Sequence, residues 1–123
     1  MTNAEIIRFF TEEVFNKGRA ELIDQYVLPN YKQHNPTVEQ GREGFRKFHQ
    51  RFRSTHPNLH LHIMHLYSDG DVVVSHNWAE LESGKVEAVV VDIYRLENGM
   101  LAEHWDCIQR LTPEQIPNRE KLF

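Results

Sequence analysis

The sequence is poor in the features that mark several classes of protein. Its single cysteine, Cys107, excludes an internal disulfide and suits a reducing compartment, so we expect a cytoplasmic protein. Basic residues are outnumbered by acidic ones, and the net charge of −4 argues against nucleic-acid binding, which needs a basic face. No apolar run approaches the roughly 20 residues of a membrane span. Residues 1–8 also lack the apolar segment of a cleavable signal peptide, so we expect no membrane partner.

Repeats, low-complexity segments and linkers are also lacking. The length of 123 residues suits one domain with a core of its own, so residues 1–123 are expected to fold together. Residues 112–123 contain two prolines and are predicted to form an extended tail.

Helical spacing is present in the first half of the chain. Thr2 and Glu5 form a potential capping box, and the apolar residues after them recur every four positions: Ile6, Phe10 and Val14. Two further helices are predicted, over 20–26 and 41–53. The stretch 30–37 is expected to be irregular, because a proline disfavours helical geometry in the residue before it.

From residue 60 onward the apolar period changes to two. Short, turn-rich connections separate four predicted strands and indicate an antiparallel meander: 60–67, 72–81, 86–96 and 100–110. Helices first and strands after predict an α+β fold with the helices on one face of the sheet. Because the strands are apolar on both faces, we expect a homodimer partner to cover the outer face.

The last hairpin carries polar residues within this apolar pattern. His104 and Asp106 share a face by alternation, and Asp92 joins them if the Asn98-Gly99 turn sets a suitable register. Carboxyl groups that are buried and close together resist ionisation, so one of them can take and return a proton near neutral pH. The alternative, a structural polar network with a neighbouring arginine, remains open at this point.

An apolar wall with a few convergent polar groups is typical of a small-molecule pocket. If the even-numbered residues of the last three strands form one face, the substrate contacts are His76, Trp78, Val90, Tyr94 and Ile108, with Tyr31 at the mouth. His34 lies beside Tyr31 in the loop Gln33-His34-Asn35-Pro36. It is either a second acid or base, or part of a turn in which Asn35 bonds local backbone.

The histidines of the first predicted strand invite a metal interpretation. His60 and His62 share a face by alternation, but His65 is expected to point the other way and no carboxylate lies near it in sequence. Catalytic zinc usually takes three protein ligands. We therefore expect neither a metal nor any other cofactor.

The order of elements and several local motifs resemble the SnoaL-like branch of the NTF2-like superfamily. The resemblance covers nearly the whole chain and is carried by four segments, of which the last two are the most specific: 31–36, 68–74, 92–99 and 103–109. It implies a cystatin-like cone, in which a strongly curved antiparallel sheet wraps around the N-terminal helices and encloses a pocket. Homodimers through the outer sheet face are common in that family. The chain is similar to small bacterial members described as aldol-condensation enzymes.

The resemblance also implies roles for individual residues. An aspartate near the end of this hairpin is the acid–base residue for aldol ring closure in the polyketide cyclases, and it matches Asp106. A cyclase histidine on the preceding strand falls at Asp92. Support for an oxyanion would then come from a protonated Asp92, or from His104 or His34. A carboxylic acid kept neutral for this purpose occurs in ketosteroid isomerase.

Two classes of function follow. The first is a cofactor-independent enzyme that abstracts a proton α to a carbonyl, followed by aldol condensation, cyclisation or isomerisation of a small hydrophobic carbonyl compound. Asp106 is the base, with His104, Asp92 and His34 as catalytic partners. The second is a non-catalytic protein that binds a small hydrophobic ligand or serves as a dimerisation module, because this fold alone does not imply an activity.

Overall fold

The computed structural model describes residues 1–123 and has the predicted α+β class, with helices packed into a curved sheet. The capping box is present: Glu5 N–H donates to Thr2 Oγ1, and Thr2 N–H donates to Glu5 Oε1. The α-helices are α1 (Asn3–Phe10), α2 (Ile23–Tyr26) and α3 (Gly41–Thr55). A π-helical segment (Thr11–Asn16) continues α1, and a 3₁₀ turn (Ala20–Leu22) precedes α2. No helix is both long and apolar enough to cross a membrane.

The sheet has five strands, one more than predicted. They are β1 (Val27–Gln33), β2 (His60–Asp69), β3 (Val72–Glu82), β4 (Val86–Glu97) and β5 (Met100–Arg110). Their order in the sheet is β1-β5-β4-β3-β2, and every neighbouring pair is antiparallel except β1 with β5.

The prediction of an irregular segment from residue 30 was wrong for the part that forms β1. This strand pairs with β5 at both of its ends, but the pairing is interrupted between Val27 and Lys32. Pro29 lies inside that interruption, where its missing N–H breaks no ladder bond. A short, proline-containing edge strand leaves little alternation in the sequence.

The hydrophobic core lies between the helices and the concave face of the sheet. Thirteen buried residues from both layers form one cluster: Ile6, Ile7, Phe10, Val14, Phe15, Ile23, Val27, Tyr31, Phe45, Val73, Tyr94, Leu96 and Leu101. The core includes Ile6, Phe10 and Val14, so the apolar residues that predicted the first helix from their spacing are the ones that it buries.

An extra residue in the β4–β5 hairpin decides which side chains share the concave face. Asn98 and Gly99 both have positive φ (50° and 78°), as a two-residue type I′ turn requires. The register then shifts by one at a β-bulge, where Ala102 has no partner on β4. Beyond the bulge Asp92 lies directly opposite Asp106, so the two carboxylates point to the same side.

A second bulge, in β3, changes which residues of that strand lie on the concave face. The register between β3 and β4 shifts at Leu81, which places odd-numbered residues of β3 opposite even-numbered residues of β4. The prediction that even positions share one face was therefore wrong for β3. His76 and Trp78 lie on the convex face, and Asn77 takes a place on the concave face.

The C-terminal segment is not the extended tail that was predicted. Residues Ile116–Leu122 form 3₁₀ turns that pack on the convex face. The Arg119 guanidinium lies 4.6 Å from the centre of the Trp78 ring, and the ring of Phe123 lies 5.1 Å from that of His76. The chain itself thus covers part of the convex face, and the expected homodimer stays a prediction for the remainder.

Candidate active site

A cavity of about 300 Å³ lies between the concave face and the helices. Phe45, Phe48 and Phe52 of α3 form much of its helical wall. The concave face opposite carries four cross-strand rows, each read from β5 through β4 to β3: His104-Tyr94-Val73, Asp106-Asp92-Ser75, Ile108-Val90-Asn77 and Arg110-Ala88-Ala79. All of these residues except Val73 and Ser75 line the cavity. The first two rows hold the acidic and imidazole groups, and the third is mainly apolar.

His104 is buried, with 7% of its surface exposed, and its tautomer follows from its partners. Its Nδ1 lies 2.8 Å from Gln33 Oε1, and the backbone N–H of Asn35 donates to the same oxygen at 3.1 Å. Because that oxygen accepts from a backbone donor, His104 Nδ1 must carry a hydrogen and donate to it. Gln33 therefore fixes which nitrogen of the imidazole is protonated.

The other nitrogen of His104 faces a carboxylate. Nε2 lies 2.7 Å from Asp92 Oδ1, and Asn77 Nδ2 donates to Asp92 Oδ2 at 2.9 Å. Since Nδ1 already carries a hydrogen, one further proton must lie between Nε2 and Oδ1. The pair is either an imidazolium with a carboxylate or an imidazole with a carboxylic acid. In both forms it is neutral overall and holds one transferable proton.

Asp106 is held differently. Its only protein partner is the Asn35 amide, whose Nδ2 donates to Oδ2 at 3.1 Å and more weakly to Oδ1 at 3.3 Å. Asn35 Oδ1 in turn accepts from the backbone N–H of Thr37 (3.0 Å) and from its hydroxyl (2.7 Å). Asn35 therefore forms the turn considered from the sequence and also orients a carboxylate. The other lone pairs of Asp106 have no protein donor.

Asp92, His104 and Asp106 each offer a ligand atom, and these atoms lie within 4.8 Å of one another. That spacing would suit a cation, but Asp92 and His104 bond to each other, and Asn35 bonds to Asp106. Hydrogen bonding accounts for the arrangement, and we assign no metal to it. Of the histidines considered earlier, His62 bonds to Glu80, and His65 bonds to Phe123, on the convex face.

Two tyrosines complete the polar end of the cavity. Tyr31 and Tyr94 line it and are 2% and 6% exposed. Burial, together with the negative charges of Asp92 and Asp106, raises the pKa of both hydroxyls well above the usual value. The two groups therefore stay protonated near neutral pH. The Tyr94 hydroxyl hydrogen-bonds to no protein group, so its hydrogen is available to a ligand.

Three of the predicted site residues lie outside the cavity. His34 stacks on Trp105 with ring centres 4.7 Å apart, its Nε2 donates to Glu103 Oε2 at 2.7 Å, and its side chain is 43% exposed. His76 and Trp78 are on the convex face because of the bulge at Leu81. The other predicted residues line the cavity: Tyr31, Val90, Asp92, Tyr94, His104, Asp106 and Ile108.

Sequence reasoning assigned no role in the cavity to Gln33, Asn35 or Asn77. Gln33 reaches His104 because β1 lies beside β5, a pairing that the sequence did not reveal. Asn77 reaches Asp92 only through the bulge in β3. The one available signal was the loop motif that contains Gln33 and Asn35, since binding residues concentrate in such loops.

Comparisons with known proteins agree with the geometry. The family model of the SnoaL-like polyketide cyclases matches residues 5–115. Comparison with curated proteins gives no significant match. TsrD from Streptomyces laurentii is 27% identical with a TM-score of 0.72, over 85% of this chain and 86% of that one.

Two more distant structures show the same fold. A SnoaL-like polyketide cyclase from Agrobacterium tumefaciens is 13% identical, with a TM-score of 0.76 over 100% of this chain and 99% of its own. A predicted ketosteroid isomerase from Kribbella flavida is 18% identical, with a TM-score of 0.74 over 89% of this chain and 79% of its own. The expected NTF2-like cone is thereby confirmed.

Proposed function

Because the chain belongs to the SnoaL-like polyketide cyclase family, we propose that it is a cofactor-independent enzyme that removes a proton α to a carbonyl group. The observation that supports this most is Asp106, a carboxylate on the cavity wall with Asn35 as its only protein partner. A general base needs a free lone pair within reach of the substrate proton. Asp106 has one, whereas Asp92 is bonded through both oxygens.

The proposed reaction uses two groups of the cavity directly. Asp106 takes the α-proton, and the electrons of the broken C–H bond pass into an enolate. The Tyr94 hydroxyl, which is protonated and unpartnered, donates to the enolate oxygen. In an aldol reaction the enolate carbon then bonds to a second carbonyl carbon, and the alkoxide formed takes the proton from Asp106. In an isomerisation Asp106 returns the proton to another carbon.

His104 and Asp92 act as electrostatic partners in this proposal. Two ionised carboxylates side by side would disfavour an enolate, which is also negative. Because Asp92 shares a proton with His104, the pair adds no net charge beside Asp106. The family resemblance predicts a histidine at position 92. In this protein His104, on the neighbouring strand, supplies an imidazole to the same part of the cavity.

Hydrogen–deuterium exchange tests the proposal without the physiological substrate. The probe is 4-phenylbutan-2-one in D₂O, with exchange at its α-carbons followed by proton NMR. We expect the wild type to accelerate exchange and Asp106→Asn to lose about 10²–10⁴-fold of that acceleration. Asp69→Asn, which changes an exposed carboxylate at the end of β2, is the control and should match the wild type. Equal acceleration by Asp106→Asn would falsify the assignment of the base.

Ligand binding without turnover is the second candidate function. It is favoured by the saturation of His104, both of whose nitrogens already have protein partners. In that case the wild type should bind the ketone but leave its exchange rate at the buffer value.

A further inference from the structure

The concave wall changes from polar to apolar to cationic along β5. Its cavity residues become more exposed in the same direction: His104 is 7% exposed, Ile108 is 55% exposed, and Arg110 is exposed at the end of the strand. Four strand residues span about 13 Å, so Arg110 lies roughly that far from Asp106 along the wall. Asp106 thus lies toward the closed end of the cavity and Arg110 lies at its mouth.

Arg110 is the only lysine or arginine that lines the cavity. Its guanidinium forms no ion pair, no hydrogen bond and no stacking contact within the protein. Other arginines near the sheet are engaged: Arg95 pairs with Glu103, and Arg119 pairs with Glu87. The cavity mouth therefore has a free, permanently charged donor on a wall whose other charged groups lie at the far end.

Between the two ends lies apolar surface that no protein group covers. Ile108 is among the most exposed large apolar side chains of the protein, and it stands next to Val90 in the third row of the wall. A ligand that spans from Asp106 to Arg110 would cover Ile108 and remove its apolar surface from water.

We propose that the cavity takes a carbonyl compound whose apolar body ends in a carboxylate, and that Arg110 binds that carboxylate. The orientation rests on the proposed function, which places the carbonyl beside Asp106. The planar guanidinium matches a carboxylate with two parallel hydrogen bonds. A protein of net charge −4 repels anions at long range, so recognition of an anionic substrate needs a local cation of this kind.

A pair of fluorescent probes tests the anion subsite separately from catalysis. 8-Anilinonaphthalene-1-sulfonate and N-phenyl-1-naphthylamine share one ring system, and only the first carries an anionic group. We expect Arg110→Gln to weaken binding of the sulfonate about tenfold and to leave binding of the neutral probe unchanged. Arg51→Gln, an exposed arginine of α3 outside the cavity lining, is the matched control and should change neither affinity. Val90→Trp fills the cavity and should abolish binding of both probes.

Three results would overturn the subsite. They are failure of the wild type to bind the sulfonate, retention of sulfonate binding by Val90→Trp, and equal effects of Arg110→Gln on the two probes. Failure of the subsite thus shows in probe affinity, and failure of the proposed function shows in ketone exchange.

Discussion

Two carboxylates of the sheet, the buried Glu87 on the convex face and the half-buried Asp106 on the concave face, are held in contrasting ways. Glu87 accepts from Arg119 Nε (2.7 Å) and Nη2 (2.9 Å), from Trp78 Nε1 (3.0 Å) and from the Gly84 N–H (2.8 Å), and its side chain is 0% exposed. Asp106 accepts only from Asn35. Saturation with donors marks a carboxylate that stabilises the fold, and unsatisfied lone pairs in a cavity mark one that can act on a ligand.

The proton affinity of Glu87 follows from its partners. Burial would raise the pKa of this carboxyl, but hydrogen bonds from Arg119, Gly84 and Trp78 outweigh that effect, and the pKa is lowered. The same contacts fasten the C-terminal segment to the β3–β4 hairpin. Glu87 thus connects the end of the chain to the sheet.

The largest difference between the two acids should appear in stability. Glu87→Ala leaves Arg119 and Trp78 without their acceptor, and we expect it to lower the free energy of unfolding by about 3 kcal/mol. Asp106→Ala removes one amide contact beside a cavity and should cost no more than about 1 kcal/mol. Urea unfolding of both variants measures the difference. Equal losses would contradict the division into structural and reactive acids.

On the concave side, the next largest effect is expected from Gln33. Gln33→Leu removes the acceptor that holds His104 Nδ1–H, so the imidazole can change tautomer, and α-proton exchange should fall about tenfold, or 1.4 kcal/mol. Gln33→Glu keeps an acceptor at the same place and should leave the hydrogen on Nδ1. ¹⁵N NMR of the His104 ring provides a reading that does not depend on turnover. An unchanged ring spectrum in Gln33→Leu contradicts the tautomer assignment.

A smaller effect should appear in the acid stability of the convex face. Because the folded-state pKa of Glu87 is below its ordinary 4.5, the unfolded chain takes up this proton first as the pH falls. The stability that Glu87 contributes is therefore complete above about pH 4.5 and is lost as the pH falls through the folded-state pKa. Unfolding free energies measured from pH 7 to pH 3 should decline less steeply in Glu87→Gln than in the wild type. Parallel curves would show that Glu87 is not the group involved.

The smallest effect is expected at His34. Its imidazole stacks on Trp105 outside the cavity and bonds to Glu103, and its side chain is 43% exposed, so His34→Ala should change the unfolding free energy by no more than about 0.5 kcal/mol. It should leave ketone exchange at the wild-type rate. A large loss of exchange would restore the catalytic role first considered for this residue and remove the functional distinction between the two faces.

Local rules were enough for most of the fold. The capping box at Thr2 and Glu5, the helical period of α1, the turn at Asn98-Gly99 and the alternation of β2 to β5 each depend on residues close in sequence, and each was predicted. Strand β1 was missed because its pairing with β5 joins segments about seventy residues apart and is interrupted at Pro29.

The site was predicted only in part for a related reason. A bulge leaves no trace in the pattern when its extra residue is apolar, as Leu81 and Ala102 are. The assumption of strict alternation along each strand therefore placed His76 and Trp78 on the wrong face and could not decide the position of Asp92. Gln33 was missed because its contact with His104 depends on the pairing of β1 with β5, and Asn77 was missed because its contact with Asp92 depends on the bulge at Leu81.

The bulge at Ala102 makes the site depend on the register of one hairpin as well as on its residues. If β4 and β5 paired without the bulge at their present length, Asp92 would lie opposite Trp105, so a protein that kept every acid and histidine could still lack the cluster. Relatives are therefore best compared by the number of residues between the turn and the aspartate and by the presence of the bulge, as well as by the aspartate itself. A change of register in one hairpin offers this fold a route by which activity can be lost or rebuilt while its polar residues persist.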